Sequence, residues 1–581
     1  MKHVSKVVWL LAILLTSCNN ASEKKTTEEN NGTAVAEPYK LQQTMYHGGD
    51  IITMAGDTPS YVEAVVQREG KIIFTGSKAD ALARFDGKAD EVDLKGKTML
   101  PGFIDAHAHF SNFSSQAIGA QILPPPDAGA NNIAAIIKIL TAWNTPENRA
   151  LTGWIFGAGF DDSVLEEKRF PTKHDLDQVT TEFPIMIIHI SGHFAVVNSK
   201  GLELLNINSE TKDPEGGIIR RENGNEPNGV LEELAAIPYY AKALTPLTSE
   251  ASETFFESGQ NMALSFGYTT AQEGRAMLEN HAFLADKAEE NKLKLDVVSY
   301  VDYMFVDTLM NTKWNSRKYD KKYRIGGMKL TLDGSPQGRT AWRTLPYLLP
   351  PDGAKEGYLG YPAIPQDSIL ESLYRKAFTN NWQVQTHANG DAAMDQMIRT
   401  MSKVSSEFEK KDRRNVLIHG QYVREDQLDA YKELDIIVSL FPLHTFYWGD
   451  WHKEIIGDEL GNQISPTRTA LDKGLRLTIH TDAPVALPNL MRMVGITVER
   501  KSRSGKLIGE GEKLTPYEAL KGITEWSAYQ HFEENNKGTI ENGKLADLVI
   551  LDRNPLKVKE EDIKDIVVLE TIKEGVSVYK K

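Results

Sequence analysis

The chain has 581 residues, which is too long for one compact core and predicts either a large barrel with an accessory domain or several domains. Its composition, 41% hydrophobic and 25% charged, is that of a globular protein, and its formal net charge of −14 argues against nucleic acid as a partner. Cys18 is its one cysteine, which excludes an intrachain disulfide and a cysteine metal cluster.

Residues 1–17 have the pattern of a secretory signal peptide. Lys2 and Lys6 precede the apolar run VVWLLAILL, which is too short to span a membrane as a mature helix. The following Leu-Thr-Ser-Cys resembles a bacterial lipobox, which implies cleavage before Cys18 and a diacylglycerol on its sulfur. The alternative is a plain signal peptide with an incidental cysteine. The lipid would anchor the protein to a membrane surface of the cell envelope, and residues 18–40, rich in Asn, Glu, Lys and Thr, would form a flexible tether.

Short β-rich segments occur at both ends of the remaining chain. Residues 41–100 contain DIITM, VEAVVQ and KIIFT, and residues 533–581 contain GTI and DLVIL. Glycine, proline and aspartate separate these segments, as is typical of short strands. The two ends are therefore predicted to form one small composite β-sandwich.

Residues 101–532 alternate apolar runs with polar, helix-like stretches. The runs MKLTL, WQVQTH, NVLIHG, IIVSLF and LRLTIHTD predict parallel strands that are buried on both faces. An open doubly wound sheet and a (β/α)8 TIM-like barrel are both compatible with this alternation. The barrel is favoured because polar residues occupy the carboxyl ends of several strands, where barrel active sites lie. An insertion at about 111–260 is predicted to form a lid, with the next strands near Gly267–Glu273 and Leu295–Asp302.

The stretch PGFIDAHAHF contains the first candidate ligands. In a β-strand, Asp105, His107 and His109 would point to the same side. Two imidazoles that converge from one strand end are typical of a metal site. Two ordinary polar residues at a strand end are the alternative.

Four further strand ends carry ligand-type residues. Lys329 lies on a buried apolar strand, where a charged amine is unfavourable, so it either pairs with an acid such as Asp333 or loses its charge and becomes available for carboxylation by CO2. His387 and His419 each end a strand, and each on its own is equally typical of a hydrogen-bonded core histidine. Asp482 ends the run LTIHTD and would both bind a metal and hold a proton.

Together these motifs resemble the amidohydrolase superfamily, and within it the YtcJ-like branch that includes N-substituted formamide deformylase. The resemblance extends from about Met45 to Leu556. The matching stretches are PGFIDAHAHF, SGHFAVVNSKGL, KLTLDGSPQGRTA, THANGDAAMD, HTDAPV, LTPYEAL and GTIENGKLADLVILDRNPL.

The resemblance implies a barrel with a composite β-sandwich and a metal centre. His107 and His109 would hold one divalent ion, His387 and His419 a second, and Lys329, as N6-carboxylysine, would bridge them. Asp482 would bind metal and act as the catalytic acid–base. Zinc suits these ligands best, with manganese or iron as alternatives, and some members of the superfamily use one metal.

Three further histidines are predicted to contact substrate. The resemblance places His193 at the substrate from the lid, although a structural histidine is the alternative. His444 lies in the aromatic stretch PLHTFYWGDWH, which indicates either a pocket or loop packing. His480 stands where members of the family commonly have a small residue. Glu273, at a strand end, is predicted to support a ligand.

The sequence therefore predicts a lipid-anchored, metal-dependent hydrolase that acts on a non-peptide C–N bond of a small molecule, such as an amide, an N-substituted formamide or a cyclic amide. Ester hydrolysis or deamination on the same fold is one alternative. A non-catalytic binding lipoprotein is another, but it would not need the complete ligand set. A homodimer is expected by analogy with the family.

Overall fold

Three β-sheets organise the part of the chain that the structure describes. The computed structural model describes residues 43–581 except 191, 193, 215, 216, 234, 352 and 353. Two of the sheets have eight strands and one has six, and each draws on a different region of the sequence.

The strands are β1 (Gln43–Ile52), β2 (Tyr61–Arg68), β3 (Lys71–Gly76), β4 (Asp90–Asp93), β5 (Thr98–Pro101), β6 (Phe103–Ile104), β7 (Ala120–Gln121), β8 (Ile155–Phe160), β9 (Ile185–His189), β10 (Phe194–Val197), β11 (Gly217–Glu222), β12 (Glu226–Glu233), β13 (Tyr268–Ala276), β14 (Asp296–Asp302), β15 (Tyr323–Thr331), β16 (Gln383–Ala388), β17 (Val416–His419), β18 (Ile437–Leu440), β19 (Leu477–Ile479), β20 (Leu548–Leu551), β21 (Val568–Lys573) and β22 (Val576–Lys580).

The α-helices are α1 (Lys78–Phe85), α2 (Phe113–Ile118), α3 (Ile133–Trp143), α4 (Pro146–Thr152), α5 (Lys173–Leu176), α6 (Ser199–Leu205), α7 (Ile237–Leu244), α8 (Ser249–Ser265), α9 (Leu278–Glu289), α10 (Val306–Leu309), α11 (Asp367–Thr379), α12 (Asp391–Ser405), α13 (Glu425–Glu433), α14 (Leu443–Tyr447), α15 (Gly449–Ile456), α16 (Asp458–Gly461), α17 (Thr467–Asp472), α18 (Leu490–Glu499), α19 (Pro516–Lys521) and α20 (Glu525–Gln530).

The first sheet joins strands from both ends of the described chain. Its order is β22-β21-β20-β5-β1-β2-β3, with β4 paired to β1. The central junction is the antiparallel pairing of β5 with β20. The terminal segments thus share one sheet, as the β-rich patterns indicate, but the two-layer sandwich predicted from the sequence is not confirmed.

The second sheet lies within the predicted insertion. It has six strands in the order β11-β12-β10-β9-β8-β7 and is packed by its own apolar clusters. Helix α8 then returns the chain to β13. Its N-terminus is capped by Thr248, whose side chain accepts a hydrogen bond from the backbone N–H of Ala251.

The third sheet has the strand order of a TIM-like barrel. Eight parallel strands follow one another as β6 and then β13 to β19. Just beyond β6 and β19, the N–H of Asp482 donates to the carbonyl of His107 (3.2 Å) and that of His109 to the carbonyl of Ala483 (2.8 Å). Because these bonds join the first and last strand regions, they favour a closed barrel over an open doubly wound sheet.

Buried ion pairs join the terminal sheet to the barrel. Lys573, on β21, lies 2.7 Å from Asp296 at the start of β14 and 2.8 Å from Asp547. Lys537 also reaches Asp296 at 2.5 Å. Charges removed from water are tolerated only when they are paired, so these contacts hold the two sheets in one position.

None of the helices in residues 43–581, with the gaps given above, combines the length and apolarity needed to cross a membrane.

Candidate metal centre

The six predicted ligands lie at one end of the barrel. Lys329 is in β15, His387 in β16, and His419 is the last residue of β17. His107, His109 and Asp482 lie beyond β6 and β19, because these strands end at Ile104 and Ile479. Strand alternation therefore does not orient the first two histidines. The backbone bonds to residues 482 and 483 hold them, and so does the bond from Gly274 N–H to the carbonyl of Ala108 (2.8 Å).

Asp482 lies between the histidines. Its Oδ1 is 3.4 Å from His109 Nε2 and 3.6 Å from His107 Nε2, and its Oδ2 is 3.9 Å from His419 Nε2. Lys329 Nζ lies 2.9 Å from His107 Nε2. The rings of His387 and His419 are in contact, with centroids 4.6 Å apart. The structure thus brings together all six predicted ligands.

Each of the four ligand histidines has a partner beside its Nδ1. Gln272 Oε1 lies 2.7 Å from Nδ1 of His107, and Glu273 Oε1 lies 3.9 Å from Nδ1 of His109. Nδ1 of His387 lies 3.3 Å from Oδ1 of Asp333. Nδ1 of His419 lies 3.0 Å from Nε2 of His480.

This pattern fixes which nitrogen is available to a metal. A partner at Nδ1 holds the proton there and leaves the Nε2 lone pair free, as in metal sites whose ligands are oriented by outer hydrogen bonds. In His107, His109 and His419, Nε2 lies near Asp482. The Nε2 atoms of these three histidines are therefore oriented toward a shared centre, whereas Nε2 of His387 lies 3.2 Å from the side-chain amide nitrogen of Asn389.

The local backbone is adapted to this arrangement. A Cβ at Gly274 would lie 2.3 Å from Cε1 of His107, so only glycine leaves room for the imidazole. His419 and Asp482 have φ angles of 76° and 52°, in the left-handed region that residues other than glycine rarely adopt. Strained conformations of this kind concentrate at functional sites.

Burial and charge set the protonation states of the chain without metal. Burial lowers the pKa of His107 and His419 well below the usual range, so both imidazoles are neutral. Burial also disfavours the charged form of His109, but contacts with the carboxylates of Asp482 and Glu273 raise its pKa to about 9. In turn, His109 holds the pKa of Asp482 below its ordinary value despite burial.

Lys329 is 2% exposed and does not pair with Asp333. Asp333 instead accepts hydrogen bonds from the N–H groups of Trp342, Asn389 and Gly390. Burial lowers the pKa of Lys329 to about 7. The ion pair that was the alternative explanation of this lysine is absent among the described residues, and its amine is readily neutral.

These residues fit a divalent metal. Oδ1 of Asp482 is buried and has no hydrogen-bond donor among the described residues. The neutral imidazoles of His107 and His419 lie beside this carboxylate. His107, His109 and Asp482 place one ligand atom each within 4.8 Å of one another. Nitrogen and carboxylate donors in this combination are typical of zinc and related ions.

The three histidines predicted to contact substrate have different positions. His193 lies outside the described residues. His480 is fully buried behind His419, and its Nδ1 lies 2.9 Å from Ser439 Oγ, so it positions a ligand. His444 is also buried. Its ring contacts those of Phe441 and Trp448, and its Nδ1 lies 2.9 Å from His452 Nε2.

Sequence reasoning missed two supporting residues. Gln272 precedes the predicted Glu273 by one position, and its amide also donates to the carbonyl of Ala106 (2.6 Å). The sequence suggests Asp333 as a partner of Lys329, whereas the structure places its carboxylate 3.3 Å from Nδ1 of His387. Both are polar residues within or directly after apolar strands, which was the available signal.

Comparison with known proteins places this centre in a family. A model of the amidohydrolase family matches residues 90–579. The chain belongs to the amidohydrolase family. This amidohydrolase is 26% identical to YtcJ of Bacillus subtilis (strain 168) over 551 residues, which cover 93% of the chain and 100% of the relative. It is 25% identical to the N-substituted formamide deformylase of Arthrobacter pascens over 538 residues, 90% of the chain and 96% of that enzyme.

A solved structure shows the same architecture. The amidohydrolase superposes on an uncharacterized metal-dependent hydrolase from Pyrococcus horikoshii OT3 with a TM-score of 0.71 and 26% identity, over 89% of this chain and 99% of that one. The matches confirm the family predicted from the motifs, and together with the ligand cluster they support metal-dependent hydrolysis.

Proposed function

We propose that this amidohydrolase hydrolyses a non-peptide C–N bond of a small molecule: an amide, an N-substituted formamide or a cyclic amide. The observation that carries the proposal is the set of four histidines, each with a partner beside Nδ1. Three of them lie within 4 Å of the carboxylate of Asp482, and the fourth, His387, contacts the ring of His419. A relative that covers nearly the whole chain is named as a formamide deformylase, which favours amide chemistry over ester hydrolysis or deamination.

The reaction adds water across the C–N bond and yields a carboxylic acid and an amine. A metal bound by the histidines would polarise the carbonyl and acidify water. Asp482 is ionised, because His109 lowers its pKa, so it accepts the proton of the attacking water. Oδ1 or Oδ2 then returns this proton to the leaving nitrogen, which an amide requires because an amide anion is a poor leaving group.

We further propose that His107 and His109 bind one ion and that His387 and His419 bind a second, with zinc as the natural metal. Burial lowers the pKa of Lys329 to about 7, so a substantial fraction of its amine is neutral at pH 7. The neutral amine would add to CO2 and release a proton, and the resulting carbamate would be a ligand shared by the two ions. A site with one metal and an unmodified lysine is the alternative.

Metal content per chain tests the number of ions. We expect about two equivalents of zinc in the wild type with bicarbonate present, and one or fewer in Lys329→Ala. Lys403→Ala, which removes an exposed lysine paired with Glu371, is the matched control and should keep both equivalents. One equivalent in all three proteins would rule out the bridged pair.

Substrate class is tested with matched amides and esters. The zinc-loaded chain should release amine from N-substituted formamides or cyclic amides, and Asp482→Asn should reduce that release. Hydrolysis of esters without any amide substrate, or ammonia release from an aminated ring, would overturn the C–N assignment in favour of the alternative chemistry.

We also propose that Cys18, which lies outside the described residues, carries a lipid that anchors the mature protein in the cell envelope. Incorporation of labelled palmitate in the native host, lost in Cys18→Ser, tests this. A homodimer is proposed as well, and light scattering of the purified chain measures it.

A further inference from the structure

A cavity of about 430 Å³ opens between the inserted sheet and the loops at the ligand end of the barrel. On the barrel side it is lined by Gln337, Arg339, Trp448 and Trp451. The loop that carries Arg339 directly follows the strand of Lys329. The cavity therefore lies on the same face of the barrel as the candidate metal centre.

Three of the cations that line this cavity are already engaged. Lys168 Nζ donates to the carbonyl of Ser163 (2.6 Å), and Arg169 makes two hydrogen bonds to Asp175 (2.7 and 3.0 Å). Arg220 pairs with Glu232 and stacks on the ring of Phe170. The charges of the two arginines are therefore balanced by carboxylates, and exposed Lys168 is held by a backbone carbonyl.

Arg339 differs from the other three. Among the described residues, no carboxylate lies within ion-pair distance of its guanidinium, and its side chain donates no hydrogen bond. Its Nε is buried and without a partner. The guanidinium lies over the ring of Trp451, 5.7 Å from the centroid, which leaves its edge available for hydrogen bonds.

The loop holds Arg339 in an unfavourable conformation. Its φ is 55°, in the left-handed region. Hydrogen bonds on both sides maintain the turn: Ser335 N–H donates to Thr340 Oγ1 (3.0 Å), and Gly338 N–H donates to Ser335 Oγ (3.2 Å). Strain of this kind, next to an unpaired cation in a cavity, is typical of a binding residue.

A second metal site is a weaker explanation of this cavity. Asp161, Asp162 and His189 do bring three ligand-type side chains together. However, Asp162 already contacts His189 Nε2 at 3.1 Å, and Arg503 lies 3.7 Å from Asp161. Since several further cations line the same cavity, a divalent cation would be repelled. A single carboxylate matches the charge and the planar shape of the one free guanidinium.

We propose that Arg339 binds a carboxylate carried by the amide substrate, with the apolar part of that substrate packed against Trp448 and Trp451. The planar guanidinium would make two parallel hydrogen bonds to the carboxylate. This proposal rests on the proposed function and narrows it to amides with a carboxylate, such as N-formyl or N-acyl amino acids.

Binding is tested first, because it does not depend on turnover. The zinc-loaded chain is titrated calorimetrically with 3-phenylpropanoate and with 3-phenyl-1-propanol, which lacks the charge. We expect the carboxylate to bind about 10- to 100-fold more tightly, as charge-assisted hydrogen bonds allow. Arg339→Met should abolish that preference. Arg169→Met, the same change in the same cavity at an arginine that is already paired, should keep it.

Turnover is then compared for N-formylphenylalanine and N-formyl-2-phenylethylamine, which differ only in the carboxylate. Arg339→Met should lower kcat/KM about 30-fold for the first and leave the second within twofold. Equal losses for both substrates would overturn the proposal, because they would show a general structural role. A carboxylate preference that survives Arg339→Met would also overturn it, because the carboxylate would then sit at the metal.

The two proposals fail in different ways. Carboxylate-selective binding through Arg339 without hydrolysis of any amide would refute the proposed chemistry and support the carboxylate site. Amide hydrolysis with no effect of Arg339→Met on binding or turnover would support the proposed chemistry and refute the carboxylate site.

Discussion

The substitution Asp333→Asn should weaken metal binding without removing any ligand. One carboxylate oxygen of Asp333 accepts from Trp342 N–H (3.0 Å) and Gly390 N–H (2.7 Å). The other accepts from Asn389 N–H (3.0 Å) and lies 3.3 Å from Nδ1 of His387. An asparagine amide offers one oxygen and one NH2 group, so in either orientation its NH2 faces two donors.

Two magnitudes follow from this geometry. The loss of two hydrogen bonds to a buried charge costs about 3 kcal/mol of stability, at about 1.5 kcal/mol each. Loss of the carboxylate beside His387 should reduce zinc affinity about 10- to 100-fold, which is the usual effect of removing an outer partner of a ligand. Affinity is measured by competition with a chromogenic chelator, and stability by urea denaturation of the metal-free chain.

Asp391→Asn is the matched control. Asp391 is similarly buried, accepts from Thr344 N–H (2.9 Å) and pairs with Arg424, but it contacts none of the ligand histidines. It should lose stability and keep its zinc affinity. If Asp333→Asn matches this control in both measurements, then Asp333 only holds loops together and the argument from Nδ1 partners is refuted.

Four further outcomes are expected. Asp482→Asn should reduce kcat on any amide substrate at least about 100-fold, since general acid–base catalysis contributes that much; a loss below tenfold at equal metal content would contradict this role. His480→Ala removes the partner of a ligand imidazole and should lower zinc affinity about tenfold in the chelator assay, while an unchanged affinity would contradict a positioning role. Lys573→Met removes the cation paired with Asp547 and leaves Asp296 with Lys537 alone, so it should cost about 3–5 kcal/mol in urea denaturation; a loss under 1 kcal/mol would show that these ion pairs are not needed. The metal-free chain should lose stability as pH falls below about 6.5, because buried histidines with lowered pKa values take up protons only on unfolding, each at about 1.4 kcal/mol per pH unit. Asp105 and His109 have raised pKa values, so they stabilise the folded chain as the pH falls, but they offset only part of the loss from the seven histidines. The histidines concerned are His107, His281, His419, His444, His452, His480 and His531. Melting temperatures at pH 7.5 and 5.5 measure the effect, and equal values would contradict it.

Much of the fold was predictable, because its signals are local. The apolar runs that end in His387 and His419 are barrel strands, and β13 and β14 lie where the second and third strands were expected. The composite terminal sheet was also indicated by β-rich segments at both ends. Its single-sheet arrangement was not predictable, because pairing between distant strands leaves no periodic signal in either partner.

The candidate ligands could also be predicted from local signals, but the residues that contact the Nδ1 atoms of the histidines could not. Strand-end position and residue type predict the candidate ligands, and the family motifs link them. The contact of His107 with Gln272, by contrast, joins residues 165 positions apart. The sequence predicts a substrate contact at His480, because it does not show that His419 and Ser439 lie beside the two ring nitrogens of His480.

The split terminal sheet also has a consequence for biosynthesis. Strand β5 pairs with β20, which emerges from the ribosome about 450 residues later. At about 5–20 residues per second, β5 waits roughly 20–90 s with an unpaired edge. Exposed edges of this kind pair readily with other chains, so the nascent protein is open to incorrect strand pairing during that interval. A chain that is interrupted before β20 cannot complete the sheet, and therefore only fully translated molecules gain its stability.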